Sequence, residues 1–117
     1  ERDFEEMRVA SFFAGIGGFD LGFERAGHEI VFHCEIDEFC NKVLEHHWRD
    51  VKRVGDINEI SDETTIPEAE IWCGGFPCQD VSLARGGPRA GLNGRRTGLF
   101  YKFAELVGQG RPPIVLL

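Results

Sequence analysis

The side chains best suited to chemistry fall at four sharp turns. Cys78 lies in the run Gly74-Gly75-Phe76-Pro77-Cys78-Gln79. A thiol just past a glycine bend, with its backbone fixed by Pro77, is placed as a nucleophile, given positive neighbours that favour the thiolate. A solitary turn cysteine is equally compatible with an inert thiol, so its company matters. Glu35 ends an apolar run twenty residues after Gly15, where a carboxylate can accept from both hydroxyls of a ribose; a strand-end surface acid is the plain reading. Asp56, in Gly55-Asp56-Ile57, could accept from an adenine amino group while Ile57 packs on the ring, although a turn aspartate explains it as well. The fourth turn is Ala14-Gly15-Ile16-Gly17-Gly18, where glycine lets a backbone approach a ligand and a following helix offers free N–H groups. A dinucleotide turn would want another glycine three positions after Gly17. Asp20 stands there instead, an awkward neighbour for a pyrophosphate, which leaves room for a nucleoside without phosphates.

Alternating strand and helix signals position these turns. Residues 8–13 read as an apolar strand, 19–26 as a short helix stopped by Gly27, and 29–34 as a second strand. Asp37 is an N-cap for a helix through His47, with Phe39, Val43 and Leu44 on one face. Residues 51–54 and 69–73 give two further strands, 98–108 a helix and 114–117 a fifth strand. Such alternation implies an α/β fold with a doubly wound, mostly parallel sheet, in which ligands bind at the carboxyl ends of the strands. All four turns fall on that edge. Residues 1–7 are a charged lead-in. The chain stops inside the fifth strand, so the sheet is expected to be incomplete at the C-terminus, completed by a longer chain or a second polypeptide.

The whole sequence has 117 residues and a formal net charge of −7, which argues against a general basic nucleic-acid coat. The charge is uneven. Between residues 81 and 104 lie Arg85, Arg89, Arg95, Arg96 and Lys102 with no acid, so the remainder carries −12. A glycine-rich, locally basic loop suits closure over a polyanion, and equally a solvated surface loop. No apolar run approaches a membrane span and no secretory signal opens the chain, so a cytoplasmic location is expected, with no membrane partner. Cys34, Cys40, Cys73 and Cys78 lack short metal-ligand spacing, and no metal is expected.

Phe13-Ala14-Gly15-Ile16-Gly17-Gly18-Phe19, Glu35, Gly55-Asp56-Ile57 and Gly75-Phe76-Pro77-Cys78-Gln79 resemble, in order and spacing, the DNA (cytosine-5)-methyltransferase family. The likeness runs from about Val9 to Leu117, and Arg96-Thr97-Gly98-Leu99-Phe100 resembles the segment that closes the family's catalytic loop. The resemblance implies the Rossmann-like fold of S-adenosyl-L-methionine-dependent methyltransferases, with residues 80–99 as a mobile catalytic loop. It implies that Phe13, Gly15, Ile16 and Gly18 hold the cofactor, Glu35 its ribose, and Ile36, Asp56 and Ile57 its adenine. Pro77 and Leu99 would line the cleft. Cys78 would add to C6 of a cytosine flipped from double-stranded DNA, so that C5 takes the methyl group. Gln79 and Ser82 would shape the base pocket, with Arg85 and Arg96 meeting DNA.

The same resemblance implies a role in a restriction-modification system. The family's next motif, Glu-Asn-Val, would begin just past Leu117, and a target-recognition domain would follow. Neither is in the sequence, and the 117 residues are therefore expected to be inactive without them or without a second polypeptide that supplies them. Ser11 stands where many members carry an acid. A cofactor-binding subunit without activity and a tRNA cytosine-5 methyltransferase are the alternatives, with a nicotinamide oxidoreductase disfavoured by Asp20.

Overall fold

The computed structural model describes residues 6–61, 64–75 and 95–117, with side chains at 95–97 excepted. Five strands, β1 (Arg8–Phe12), β2 (Glu29–Cys34), β3 (Lys52–Val54), β4 (Ile71–Gly74) and β5 (Ile114–Leu116), form one sheet in the order β3-β2-β1-β4-β5, every pairing parallel. Helices α1 (Gly18–Arg25) and α2 (Glu38–His47) follow β1 and β2. This sheet and these helices belong to one unit, residues 1–75 and 112–117. A third helix, α3 (Arg95–Gly110), belongs to the second, residues 76–111.

The doubly wound, parallel α/β expectation is met. Strand order steps outward from β1 to β3, then returns to place β4 on the other side of β1. The order therefore reverses between β1 and β4, and the carboxyl ends of those strands flank the crevice where open α/β sheets bind ligands. The β2 boundaries coincide with those expected. β1 stops at Phe12 because Phe13 turns to φ 54, a left-handed conformation incompatible with a strand. α3 begins three residues earlier and ends two later than expected, at Gly110. Arg111 beyond it takes φ 51 and donates its N–H to the Val107 carbonyl, after which Pro112 cannot continue a helix.

One face of the sheet carries Val9, Ile30, Ile71 and Cys73, covered by Phe23 of α1, Leu44 of α2 and Trp48 just beyond α2. The other face carries an aromatic layer, with Phe12 5.5 Å from Phe32 and 5.0 Å from Trp72 between ring centroids. A register shift between Val9 and Ala10 sorts β2 onto these faces. Ile30 pairs with Val9, but Phe32 pairs with Ala10 and His33 with Ser11. Ile30 and His33 are three apart, so an unbroken pleat would turn them to opposite faces; the extra residue brings both to the helix side.

At the amino edge of the sheet, Arg8 donates from its backbone N–H and guanidinium to the two carboxylate oxygens of Glu70, at 2.8 and 2.9 Å. These bonds hold the Glu70 carboxyl down at about 2. A depressed folded-state value contributes stability above the ordinary carboxylate range, and that contribution is lost as pH falls through about 2. Both side chains are exposed, so the pair is weak and salt-screened. Arg8→Ala is expected to lower the unfolding midpoint slightly at neutral pH and low salt. The difference from the parent chain should vanish near pH 2 or in high salt, as denaturation at graded pH will check.

Candidate functional site

The glycine turn after β1 is built from left-handed backbone: Phe13 at φ 54, Gly15 at 62 and Gly17 at 95. Phe13 is the costly member, because a side chain in this region is strained by about 1–2 kcal/mol. Ala14 donates to the Cys34 carbonyl at 3.2 Å and Gly17 to the Ala14 carbonyl at 3.1 Å, which closes the turn against the end of β2. Gly17 caps α1 with no side-chain acceptor, so the first N–H groups of the helix have no side-chain cap. A Cβ on Gly15 or Gly18 would meet none of the described residues within 4 Å. The backbone there is open to a ligand.

Glu35 stands across from the turn. Its Oε1 accepts from the Gly15 N–H at 2.7 Å and its Oε2 from the Asp37 N–H at 2.8 Å, while its own N–H donates to the Val54 carbonyl. One carboxylate thus ties the β1 turn to the start of α2. Each oxygen retains acceptor capacity beyond its one N–H partner, as ribose hydroxyls would require. Asp37 caps α2 as expected, accepting from the Cys40 N–H at 2.9 Å.

Asp56 follows β3 and accepts from the Asn58 N–H at 2.9 Å, capping a 3-10 turn at Ile57–Glu59. This is the turn role that the sequence allowed. Cys34 Sγ lies 3.6 Å from the Gly55 carbonyl, joining this loop to β2. Ile36 is 70% exposed and Ile57 only 3%. Of the two isoleucines expected against an adenine, Ile36 offers an open apolar face, and the Ile57 side chain is buried. Ile16 on the glycine turn is also uncovered. At the end of β4, Gly75 donates to the Phe12 carbonyl at 3.1 Å, and a Cβ there would lie 3.3 Å from the Phe13 carbonyl oxygen. The end of β4 therefore lies directly beside the glycine turn.

Phe13, Gly15, Ile16, Gly18, Glu35, Ile36, Asp56 and Ile57 thus gather at the carboxyl edge of β1, β2 and β3. Leu99 is a half-buried residue of α3, in the second unit. Pro77, Cys78, Gln79, Ser82 and Arg85, and the Arg96 side chain, lie outside the described residues. The three described cysteines are free, and none is a ready nucleophile. Burial pushes the Cys34 thiol up to about 12, with Glu35 and Asp56 adding to the shift, and Cys73 up to about 11. Partial desolvation and the Asp37 hydrogen bond raise Cys40 to about 11. Among the described residues no group of three or more His, Cys, Asp or Glu could hold a metal, and no helix is long and apolar enough to cross a membrane.

Two features escaped the sequence reading. Asp20 does not face the turn: its side chain is fully buried, accepting from Ser11 Oγ at 3.0 Å and lying 2.7 Å from His33 Nε2. Its supposed repulsion of a pyrophosphate therefore has no structural basis. The signal for its true position was present, since Ser11 and His33 are polar residues inside apolar parallel strands. The second feature is Trp48, whose ring lies directly under Gly17.

Open turn backbone, an uncovered Ile36 and a carboxylate with spare acceptor capacity fit a nucleoside cofactor. Together with the strand order they define a domain of α/β methyltransferase fold. It is similar, at a TM-score of 0.69 and 25% identity, to a crystal structure of a prophage-encoded E. coli protein assigned as a DNA modification methyltransferase, covering 92% of this chain and 30% of that one. Residues 7–117 match the model of the C-5 cytosine-specific DNA methylases, and the chain belongs to that family. It is 40% identical over 115 residues to the type II methyltransferase M2.BsuMI of Bacillus subtilis (strain 168), covering 95% of this chain and 28% of that protein. It is 37% identical over 111 residues to the type II methyltransferase M.HhaI of Haemophilus parahaemolyticus, covering 95% and 33%. The chain thus spans about a third or less of the length of these relatives. Family membership sets the nicotinamide alternative aside.

Proposed function

We propose that the chain is the cofactor-binding, nucleophile-bearing part of a DNA (cytosine-5)-methyltransferase of a restriction-modification system, acting in the cytoplasm on cytosine in double-stranded DNA. The observation that carries this reading is the Glu35 carboxylate, bonded at once to the Gly15 and Asp37 N–H groups beside the uncovered Ile36. In it Phe13, Gly15, Ile16 and Gly18 hold S-adenosyl-L-methionine, Glu35 takes the ribose hydroxyls, and Ile36, Asp56 and the Ile57 backbone meet the adenine. Pro77 and Leu99 complete the cleft. Bound there, the cofactor supplies an electrophilic methyl group.

Cys78 supplies the electrons. Cytosine C5 is a feeble nucleophile while the ring is aromatic, so the Cys78 thiolate forms a bond from Sγ to C6 of a flipped base, and the C5–C6 π pair becomes available at C5. After C5 has been alkylated, loss of its proton restores the double bond and expels the Cys78 thiolate. Gln79 and Ser82 shape the base pocket, and Arg85 and Arg96 meet DNA phosphates. The relatives are about three times longer or more, and we expect turnover to need further polypeptide that holds the cytosine and reads the DNA site. Robust methylation by these 117 residues alone would contradict that expectation. The type II methyltransferase names of the relatives favour this reading over a tRNA substrate or a subunit without chemistry.

The test is calorimetric titration of the folded chain with S-adenosyl-L-methionine, beside NADH and a Glu35→Ala variant. Saturable binding is expected, weaker by roughly 10- to 100-fold in the variant, as loss of hydrogen bonds to a charged acceptor implies. Preference for NADH, or equal affinity in Glu35→Ala, would overturn the reading.

A further inference from the structure

Asp20, Ser11 and His33 meet in the interior of the sheet's helix side, and the proposed cofactor chemistry uses none of them. Asp20 and His33 are 0% exposed at the side chain, 2.7 Å apart, and Ser11 donates to the second Asp20 oxygen at 3.0 Å. Ser11 and His33 are direct partners across the β1–β2 ladder, and Asp20 reaches down to both from the first turn of α1. Each lies two residues from a group at the site. Ser11 precedes Phe13, His33 precedes Glu35, and Asp20 follows Gly18. We propose that this buried network is a positioning device for the cofactor site, clamping the start of α1 to β1 and β2 so that the Gly15 N–H and the Glu35 carboxylate stay in register. The inference rests on the cofactor reading above.

The chemistry of the three groups supports a directional clamp. Asp20 accepts from the Ser11 hydroxyl at Oδ1 and from His33 Nε2–H at Oδ2. Among the described residues, the buried His33 Nδ1 has no hydrogen-bond partner. A bare lone pair there costs less than an orphaned N–H, which selects the Nε2–H tautomer. The Trp48 ring and the imidazole meet in a T-shaped contact at 5.5 Å between centroids, and the same Trp48 ring lies against Gly17. The clamp and the turn therefore share a wall.

Asp20→Asn keeps the shape, but one carboxylate oxygen becomes an NH2 group: the amide oxygen accepts from His33 while the amide nitrogen donates to Ser11 Oγ, and both contacts lose the strength of a carboxylate acceptor. We expect Gly15 amide exchange to accelerate about tenfold and the S-adenosyl-L-methionine affinity of the folded chain to fall about tenfold, the scale of one charge-assisted bond. His33→Leu should do the same. His33→Gln, whose amide nitrogen can stand in for imidazole Nε2, should preserve both properties. A network that serves stability alone would lower the melting temperature of all these variants while leaving Gly15 exchange and affinity at parental values, and that result overturns the proposal. Should Asp20→Asn fail to fold, the Gln and Leu variants at His33 decide. Should the parent chain not bind the cofactor, the functional reading falls, and Gly15 exchange in the ligand-free variants still decides whether the network positions the turn.

Discussion

Gly17→Ala is expected to destabilise the chain by about 2–5 kcal/mol and to remove cofactor binding, because a side chain there meets two separate penalties. Gly17 sits at φ 95, outside the region in which L residues are comfortable. Its Cβ would also lie 2.5 and 2.7 Å from carbons of the Trp48 ring and 3.3 Å from Leu44. Trp48 has little freedom to retreat. Its Nε1–H donates to Glu24 at 2.7 Å, its carbonyl accepts from Arg53, and His33 flanks its ring. The methyl group must therefore shift the turn itself, and with it the Gly15 N–H that Glu35 holds. Gly18→Ala is the control: among the described residues nothing lies within 4 Å of its Cβ, and alanine favours a helix start over glycine by several tenths of a kcal/mol. Gly18→Ala should keep or raise stability in urea unfolding and weaken only ligand binding. A Gly17→Ala chain within about 0.5 kcal/mol of the parent would show that Trp48 yields and that the turn is not held from below.

The contrast between these glycines marks how far the sequence could be read. Glycine spacing and the strand before it located the turn, and Glu35 followed from its distance to Gly15 and its place at a strand end. Asp37 was legible as a cap because capping is local: its acceptor needs only the Cys40 N–H three residues on. Trp48 under Gly17 was not legible, since the contact joins residues 31 apart that only the packing of α2 against the sheet brings together. Polar Ser11 and His33 hinted at a buried network, but a single inserted residue hid that they face the same side. Without the shift after Val9, His33 would face the aromatic layer away from Ser11 and Asp20. The same local reading treated Asp20 as part of the turn, because sequence proximity does not say on which side of a helix's first turn a carboxylate falls. Ile57 was expected against a ring, and its side chain is buried in the structure. A short apolar residue after a turn aspartate serves either purpose, and burial decides between them.

Cysteine chemistry yields the second large effect, on reactivity rather than stability. Cys34 at about 12 and Cys40 and Cys73 at about 11 leave at most about one thiolate in a thousand at pH 8, and two of the three are buried as well. A free thiol near 8.5 would be roughly a quarter ionised at that pH. Alkylation of the native chain by iodoacetamide should therefore fall on Cys78 about a hundredfold faster than on any other cysteine, and all four should react in denaturant. Cys78→Ser should abolish the fast phase. In a polypeptide of the relatives' full length, the same substitution should lower methyl transfer to DNA by roughly ten-thousandfold or more, the usual cost of deleting a nucleophile, while leaving S-adenosyl-L-methionine affinity nearly unchanged. Fast labelling at Cys40 would assign the reactive thiol to α2 and remove the chemical case for Cys78. Turnover that survives Cys78→Ser would do more, because C5 would then have to be activated without a thiolate at C6, and the basic stretch around Arg85 and Arg96 would be left holding DNA for a reaction driven elsewhere.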